Sequence, residues 1–149
     1  MSNDFSHLDE HGNARMVDVG EKPAQRREAV AEGWLHCQEA TLQALSNQAL
    51  PKGDVLAVAR VAGIQAAKRT QELIPLCHQI PLESVRIDFQ PASDRIRIEA
   101  RVRTTAKTGV EMEALTAVGI AALTLFDMMK AVDKSMHIEG IQVLSKVKG

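Results

Sequence analysis

Aromatic side chains are nearly missing from this sequence: three Phe, one Trp and no Tyr among 149 residues. Folds that read single strands of nucleic acid stack bases on aromatic rings, so the scarcity argues against such a surface. Net charge is missing too, because 18 Lys and Arg face 19 Asp and Glu. An electrostatic nucleic-acid binder would carry a strong basic excess. Only Cys37 and Cys77 could pair, and no C-x-x-C occurs, so there is no disulfide framework and a reduced, cytoplasmic setting is expected. Residues 1–12 lack the apolar run of a signal peptide. The longest apolar stretch, residues 114–126, is too short for a membrane span, contains Thr116 and Thr124, and is bracketed by Glu113 and Asp127. The expectation is a soluble protein with neither nucleic acid nor membrane as a partner.

What is present is ordinary globular composition, 45% apolar and 25% charged, in a length that suits one domain. Residues 1–14 read as a flexible arm and residues 15–149 as a single α+β domain. Small or apolar residues at Ala29, Ala31, Gly33, Leu35 and Cys37 alternate as in a strand over 29–37. A short helix is expected over 38–46. A Pro51-Lys52-Gly53-Asp54 turn follows, and Asp54 caps a second helix running towards Glu72 and ending before Pro75. Val85, Ile87 and Phe89 alternate over 82–90. After the turn Pro91-Ala92-Ser93-Asp94, Ile96, Ile98, Ala100 and Val102 alternate with charged residues, giving a hairpin with one wet face. Residues 110–132 read as a long helix, apolar on nearly every side and deeply buried, and residues 136–146 as a less regular closing strand. The order matches a split β-α-β-β-α-β pattern with an inserted helix: an α+β ferredoxin-like sandwich, an antiparallel sheet covered by helices.

Several familiar motifs fail. His7-Leu8-Asp9-Glu10-His11 fits H-x-x-E-H, but it sits in a polar arm with no apolar face to build the helix that metal binding needs. Lys107-Thr108-Gly109 lacks the glycine spacing of a phosphate-binding loop. No set of ligands at metal-site spacing is apparent, so no metal site is expected.

Polar residues on apolar elements are more informative. Thr124, Asp127 and Lys130 follow at i, i+3 and i+6 on the long helix, so neighbours in the series share a face. In a largely dry cleft, Asp127 and Lys130 would shift each other's proton affinity or lock as an ion pair; on a wet surface they would be an ordinary salt bridge. Glu113 stands 14 positions before Asp127, about 21 Å along a straight helix. One small ligand cannot touch both within one chain, so either they serve separate purposes or two chains share a site. Leu76-Cys77-His78 lies in a loop bounded by Pro75 and Pro81, where a thiol and an imidazole could serve a site or merely fill space. Lys52 and Lys68 could meet phosphates or simply face solvent.

Taken together, the strings Met16-Val17-Asp18-Val19, Lys52-Gly53-Asp54-Val55, Ala62-Gly63-Ile64-Gln65-Ala66-Ala67-Lys68-Arg69-Thr70, Leu73-Ile74-Pro75-Leu76-Cys77-His78, Lys107-Thr108-Gly109-Val110-Glu111-Met112-Glu113-Ala114-Leu115-Thr116 and Asp127-Met128-Met129-Lys130-Ala131 resemble the cyclic pyranopterin monophosphate synthases, the C proteins of molybdenum cofactor biosynthesis. The likeness runs from about residue 16 to 144. It departs at Gln79-Ile80, where many members have Pro-Leu, and at the short turn over 91–94.

The resemblance implies an enzyme that converts a ring-closed dihydro-GTP to cyclic pyranopterin monophosphate and diphosphate. It implies a ferredoxin-like fold assembled as a hexamer of three dimers, with sites at the dimer interface. By analogy, Asp127 is the acid/base group, assisted by Lys130 and Lys52. Leu76, Cys77, His78, Met112 and Glu113 belong to substrate-binding segments. Lys68 and Arg27 are available as phosphate cations, and Glu111 joins the binding set. No cofactor is required, although Mg²⁺ can travel with the triphosphate. The competing reading is a non-catalytic oligomeric sensor or carrier for a purine nucleotide or pterin, which would have no use for a tuned Asp127/Lys130 pair.

Overall fold

Alternation builds the sheet. In the computed structural model, which describes residues 8–149, four strands form one antiparallel sheet: β1 (Gln25–His36), β2 (Ser84–Pro91), β3 (Arg95–Ala106) and β4 (His137–Lys148), in the order β2-β3-β1-β4. Ile96, Ile98, Ala100 and Val102 of β3, and Ala29, Ala31 and Leu35 of β1, are fully buried on one face. The helices α1 (Glu39–Ser46), α2 (Val55–Lys68), α3 (Thr70–Leu73) and α4 (Glu111–Met129) complete the chain. α4 packs on β1, β3 and β4, and α2 lies beside it on β2. This is the expected α+β ferredoxin-like arrangement with an extra helix. The opposite face of the sheet is wet and charged: Arg97 pairs with Glu32 at 2.9 Å and Glu99 at 2.8 Å, and Arg101 with Glu28 at 2.7 Å.

Several boundaries move. β1 begins at Gln25 rather than 29, because the twelve-residue β3 supplies ladder partners back to Gln25↔Ala106, even where β1 has no apolar alternation. The helix expected over 55–72 breaks at Arg69. The Thr70 hydroxyl donates to the carbonyls of Ala66 and Ala67 at 3.0 and 2.9 Å, closing α2, and α3 restarts as a single turn. Asp54 caps α2 as expected, its carboxylate accepting the Ala57 N–H at 3.2 Å. α4 is shorter than 110–132, and it is not buried all round. Ala117, Val118, Ala121, Ala122 and Leu125 are inside, whereas Leu123 is 56% exposed. A helix packed on a sheet within one chain has one side with nothing over it. By length and composition α4 could cross a membrane, but half of it is enclosed by the core.

β4 is irregular, as expected. Its ladder with β1 shifts register twice, and at one shift Gly140 takes a φ of +68° opposite Gly33. This is a bulge that a residue with a Cβ would resist.

Candidate active site

The first turn of α4 and the loop over residues 74–81 close on one another. Pro75 and Pro81 bound the loop, the Cys77 N–H donates to the Ile74 carbonyl at 3.1 Å, and the Thr104 hydroxyl anchors the Pro81 carbonyl. His78 Nε2 meets the Val17 carbonyl, tying the loop to the segment upstream of β1. Between loop and helix lies a cleft of about 410 Å³ lined by Leu76, Cys77, His78, Glu111, Met112 and Glu113, with Thr108 and Gly109 at one wall. Six of the eight residues nominated for substrate binding therefore share one hollow.

Glu113 is the unusual member. Only 2% of it is exposed, and burial pushes its carboxyl above the usual carboxylate range. Its Oε2 is 3.7 Å from Cys77 Sγ, while Oε1 is buried and without a hydrogen-bond partner among the described residues. A buried oxygen of this kind is costly unless something fills it, so it marks a place for a ligand N–H or O–H. Burial, and then the charge of Glu113, lift the Cys77 thiol to about 11. The thiol is neutral near pH 7 and offers no thiolate nucleophile there.

Cations stand beside this cleft rather than in it. Arg27 reaches the Lys107 carbonyl at 3.4 Å, and its Nε is buried without a partner. It borders an adjoining groove that shares Thr108, Gly109 and Glu111 with the first and adds Lys146 and Lys148. Lys68 lines a third depression with Gln71 and Gln79, joined to the main cleft through Ile80. A guanidinium and several ammonium groups next to a slot with a buried carboxyl group suit a ligand with a polar ring and an anionic tail.

The other end of α4 carries a second cluster. Lys130 Nζ is 2.8 Å from Asp127 Oδ1. Lys52, from the turn before α2, reaches Asp127 Oδ2 at 3.5 Å and its carbonyl at 3.2 Å. The three residues nominated for catalysis therefore meet, but not in a dry cleft: their side chains are 46–59% exposed in the single chain. Thr124 does not join them, because its hydroxyl donates to the Ile120 carbonyl at 2.7 Å. The hydrogen bond and charge of Lys130, and then Lys52, hold the Asp127 carboxyl below its ordinary range. It is ionised at neutral pH, and the same cations make it a weaker base than a free carboxylate.

Within one chain the two clusters sit at opposite ends of a nineteen-residue helix. His7 of the H-x-x-E-H string lies outside the described residues. Around His11 the chain is a turn, with Asp9 accepting the N–H groups of His11 and Asn13. Sequence reasoning missed Thr108 and Gly109 as cleft walls and the Val17 carbonyl as the partner of His78. All three lie inside the strings that carried the resemblance, and that was the available signal.

Comparison with known proteins gives the family. Residues 16–149 match the family model described as MoaC family. A protein of Chloroflexus aggregans is 60% identical over 147 residues, covering 97% of this chain and 89% of its own length. One of Thermomicrobium roseum is 57% identical, covering 98% and 89%, and one of Desulfatibacillum aliphaticivorans is 53% identical, covering 98% and 93%. Each is named cyclic pyranopterin monophosphate synthase. With a family model spanning all but the first fifteen residues and relatives more than half identical over nearly the whole chain, the chain belongs to the MoaC family.

Proposed function

We infer that the chain is a cyclic pyranopterin monophosphate synthase, a lyase of molybdenum cofactor biosynthesis. Its substrate is the ring-closed dihydro-GTP, (8S)-3',8-cyclo-7,8-dihydroguanosine 5'-triphosphate, and it releases diphosphate. The observation that carries this is the 53–60% identity to proteins of that name over 97–99% of the chain. The site chemistry fits. The cleft beside Glu113 suits the polar edge of a guanine-derived ring, since its buried Oε1 has no partner among the described residues and can accept a ligand N–H. Arg27, Lys68 and the cations around them suit the phosphates. Asp127 is set to take a proton, and Lys130 and Lys52, hydrogen-bonded to it, are set to stabilise the charge and return a proton.

In this reading the ring and phosphates span two chains, with the Glu113 end of one α4 meeting the Asp127 end of another. The protein is then a homo-oligomer, a hexamer of three dimers with sites at the dimer interface, and works in the cytoplasm. Association would also cover Asp127 and Lys130, which are wet in the single chain. Mg²⁺ enters only with the triphosphate as part of the substrate.

The test is incubation with the ring-closed dihydro-GTP, following diphosphate release and the cyclic phosphate product. Turnover is expected in the native protein. It should fall by at least about 10²-fold, the low end for losing a positioned acid or base, in Asp127→Asn and Lys130→Ala, with ligand binding largely retained. Tight binding without turnover in the native protein would identify a sensor or carrier instead.

A further inference from the structure

On the wet face of the sheet, at the end where β1 leaves and β4 enters, three side chains form a group with no part in the site above. His36 and His137 are directly opposed across the β1–β4 ladder, and Glu139 is opposed to Trp34. Alternate residues of a strand share a face, so Glu139 is the diagonal neighbour of His36. Its Oε1 is 2.6 Å from His36 Nε2 and its Oε2 is 3.6 Å from His137 Nε2. The imidazole rings stack, with centroids 4.6 Å apart and planes within 2°.

We propose that His36, His137 and Glu139 bind a divalent first-row transition-metal ion, Zn²⁺ being the probe of choice. The three donor atoms lie within 4.8 Å of one another, whereas donors around a tetrahedral ion at about 2.0–2.2 Å sit about 3.4 Å apart. Closing the gap asks the side chains to rotate. An ion lies in the plane of each imidazole it binds, so the stacked rings must swing towards a common point. His137 and Glu139 are 59% and 57% exposed and free to do so, while His36, at 20%, is the fixed member. His36 Nε2 has no aligned hydrogen-bond partner despite the nearby carboxylate, so an ion would replace the ring stack and an unaligned contact with three coordinate bonds.

The ladder holds both backbones, which is the preorganisation a metal site needs. Two imidazoles and one carboxylate suit Zn²⁺, Co²⁺, Ni²⁺ or Cu²⁺ rather than Ca²⁺ or Mg²⁺, which prefer all-oxygen shells. Three protein ligands leave one position for water. The ion would clip the edge strand to its neighbour. Sequence spacing does not reveal this site, because its ligands come from strands far apart in the chain.

The experiment uses the full chain stripped with EDTA. Zn²⁺ per chain is counted after dialysis, and Co²⁺ binding is followed by visible absorption with Zn²⁺ competition. One ion per chain is expected, with a tetrahedral cobalt spectrum. Losing an outer partner of a metal ligand costs about 10–100-fold in affinity, so His137→Ala and Glu139→Gln should each cost at least about tenfold. The double variant His7→Ala/His11→Ala should bind as the native chain does. The proposal is overturned by absence of saturable binding, by binding indifferent to His137→Ala, by loss in the His7/His11 variant, or by a near-ultraviolet thiolate band that would place the ion on cysteine.

Discussion

Asp133 shows what one buried charge can organise. It is 2% exposed, and its carboxylate accepts from the Gln38 N–H, the Thr41 hydroxyl, and the N–H and hydroxyl of Ser135, at 2.7–2.8 Å. Gln38 is the N-cap of α1 and supplies no side-chain cap, so a residue just before β4 performs the capping that a local side chain usually provides. Burial alone would raise this carboxyl, but the four donors outweigh it and hold the group near 2, below the ordinary 3.8. Its contribution to stability is complete above pH 3.8 and disappears as pH falls towards 2, on the order of 2 kcal/mol. Asp133→Ala, which leaves those donors without their acceptor, should cost about 2–4 kcal/mol in urea unfolding at pH 7. The difference from the native protein should shrink below pH 4, and a constant difference would mean the loss is one of packing. The Ser135 contacts of Asp133 are local, but the ones that reach α1 come from Gln38 and Thr41, more than ninety residues away, and no local signal in the sequence announces them.

At the scale of elements, α2 and α4 pack through small residues, Ala59, Gly63, Ala66 and Ala67 facing Ala114, Ala117 and Ala121. A Cβ at Gly63 would stand 3.0 Å from the Ala117 carbonyl oxygen and 2.3 Å from Ile87 Cδ1. The Ile87 methyl can turn away, but the backbone oxygen cannot. Gly63→Ala should therefore destabilise by about 1–3 kcal/mol in thermal unfolding. It should also weaken ligand binding at the cleft, since α2 leads through α3 into the loop beside Glu113. Stability at or above the native value would show that the helices separate freely. The helices and strands themselves were legible. Alternation at Ile96, Ile98, Ala100 and Val102, the Asp54 cap and the Pro75 stop are all local signals. The misplaced ends, at Gln25 and Arg69, are where a partner strand or a back-bonded Thr70 decides, and neither is a local property.

At the scale of the whole molecule, large apolar side chains are left in the open. Val58, Val61, Leu73, Leu123 and Val132 are 45–56% exposed, and Ile141, Leu144 and Val147 of β4 are 43–60% exposed. A partner chain is one thing that could cover such side chains where they adjoin one another. If one site draws on both ends of α4, Glu113→Gln and Asp127→Asn subunits, each inactive alone, should regain part of the native turnover when mixed after dissociation. No recovery in hybrids confirmed by mass would mean that each chain holds a complete site. The candidate site was legible in part. Residues in unbroken strings, Leu76-Cys77-His78 and Glu111-Met112-Glu113, come together within one chain, whereas Asp127 and Glu113 stand at opposite ends of α4, and no string in the sequence relates them.

The place of β1 in the sheet order has a consequence for synthesis. As the inner strand it is paired on both sides, by β3 and by β4, yet both partners lie well downstream of it in the chain. A nascent chain that has just finished α2 therefore carries its central strand with two open edges. One edge closes only when β4 emerges. Such long-range pairings make folding slow and leave intermediates prone to association. Chain termination within β4 should accordingly yield aggregates rather than a shortened native protein.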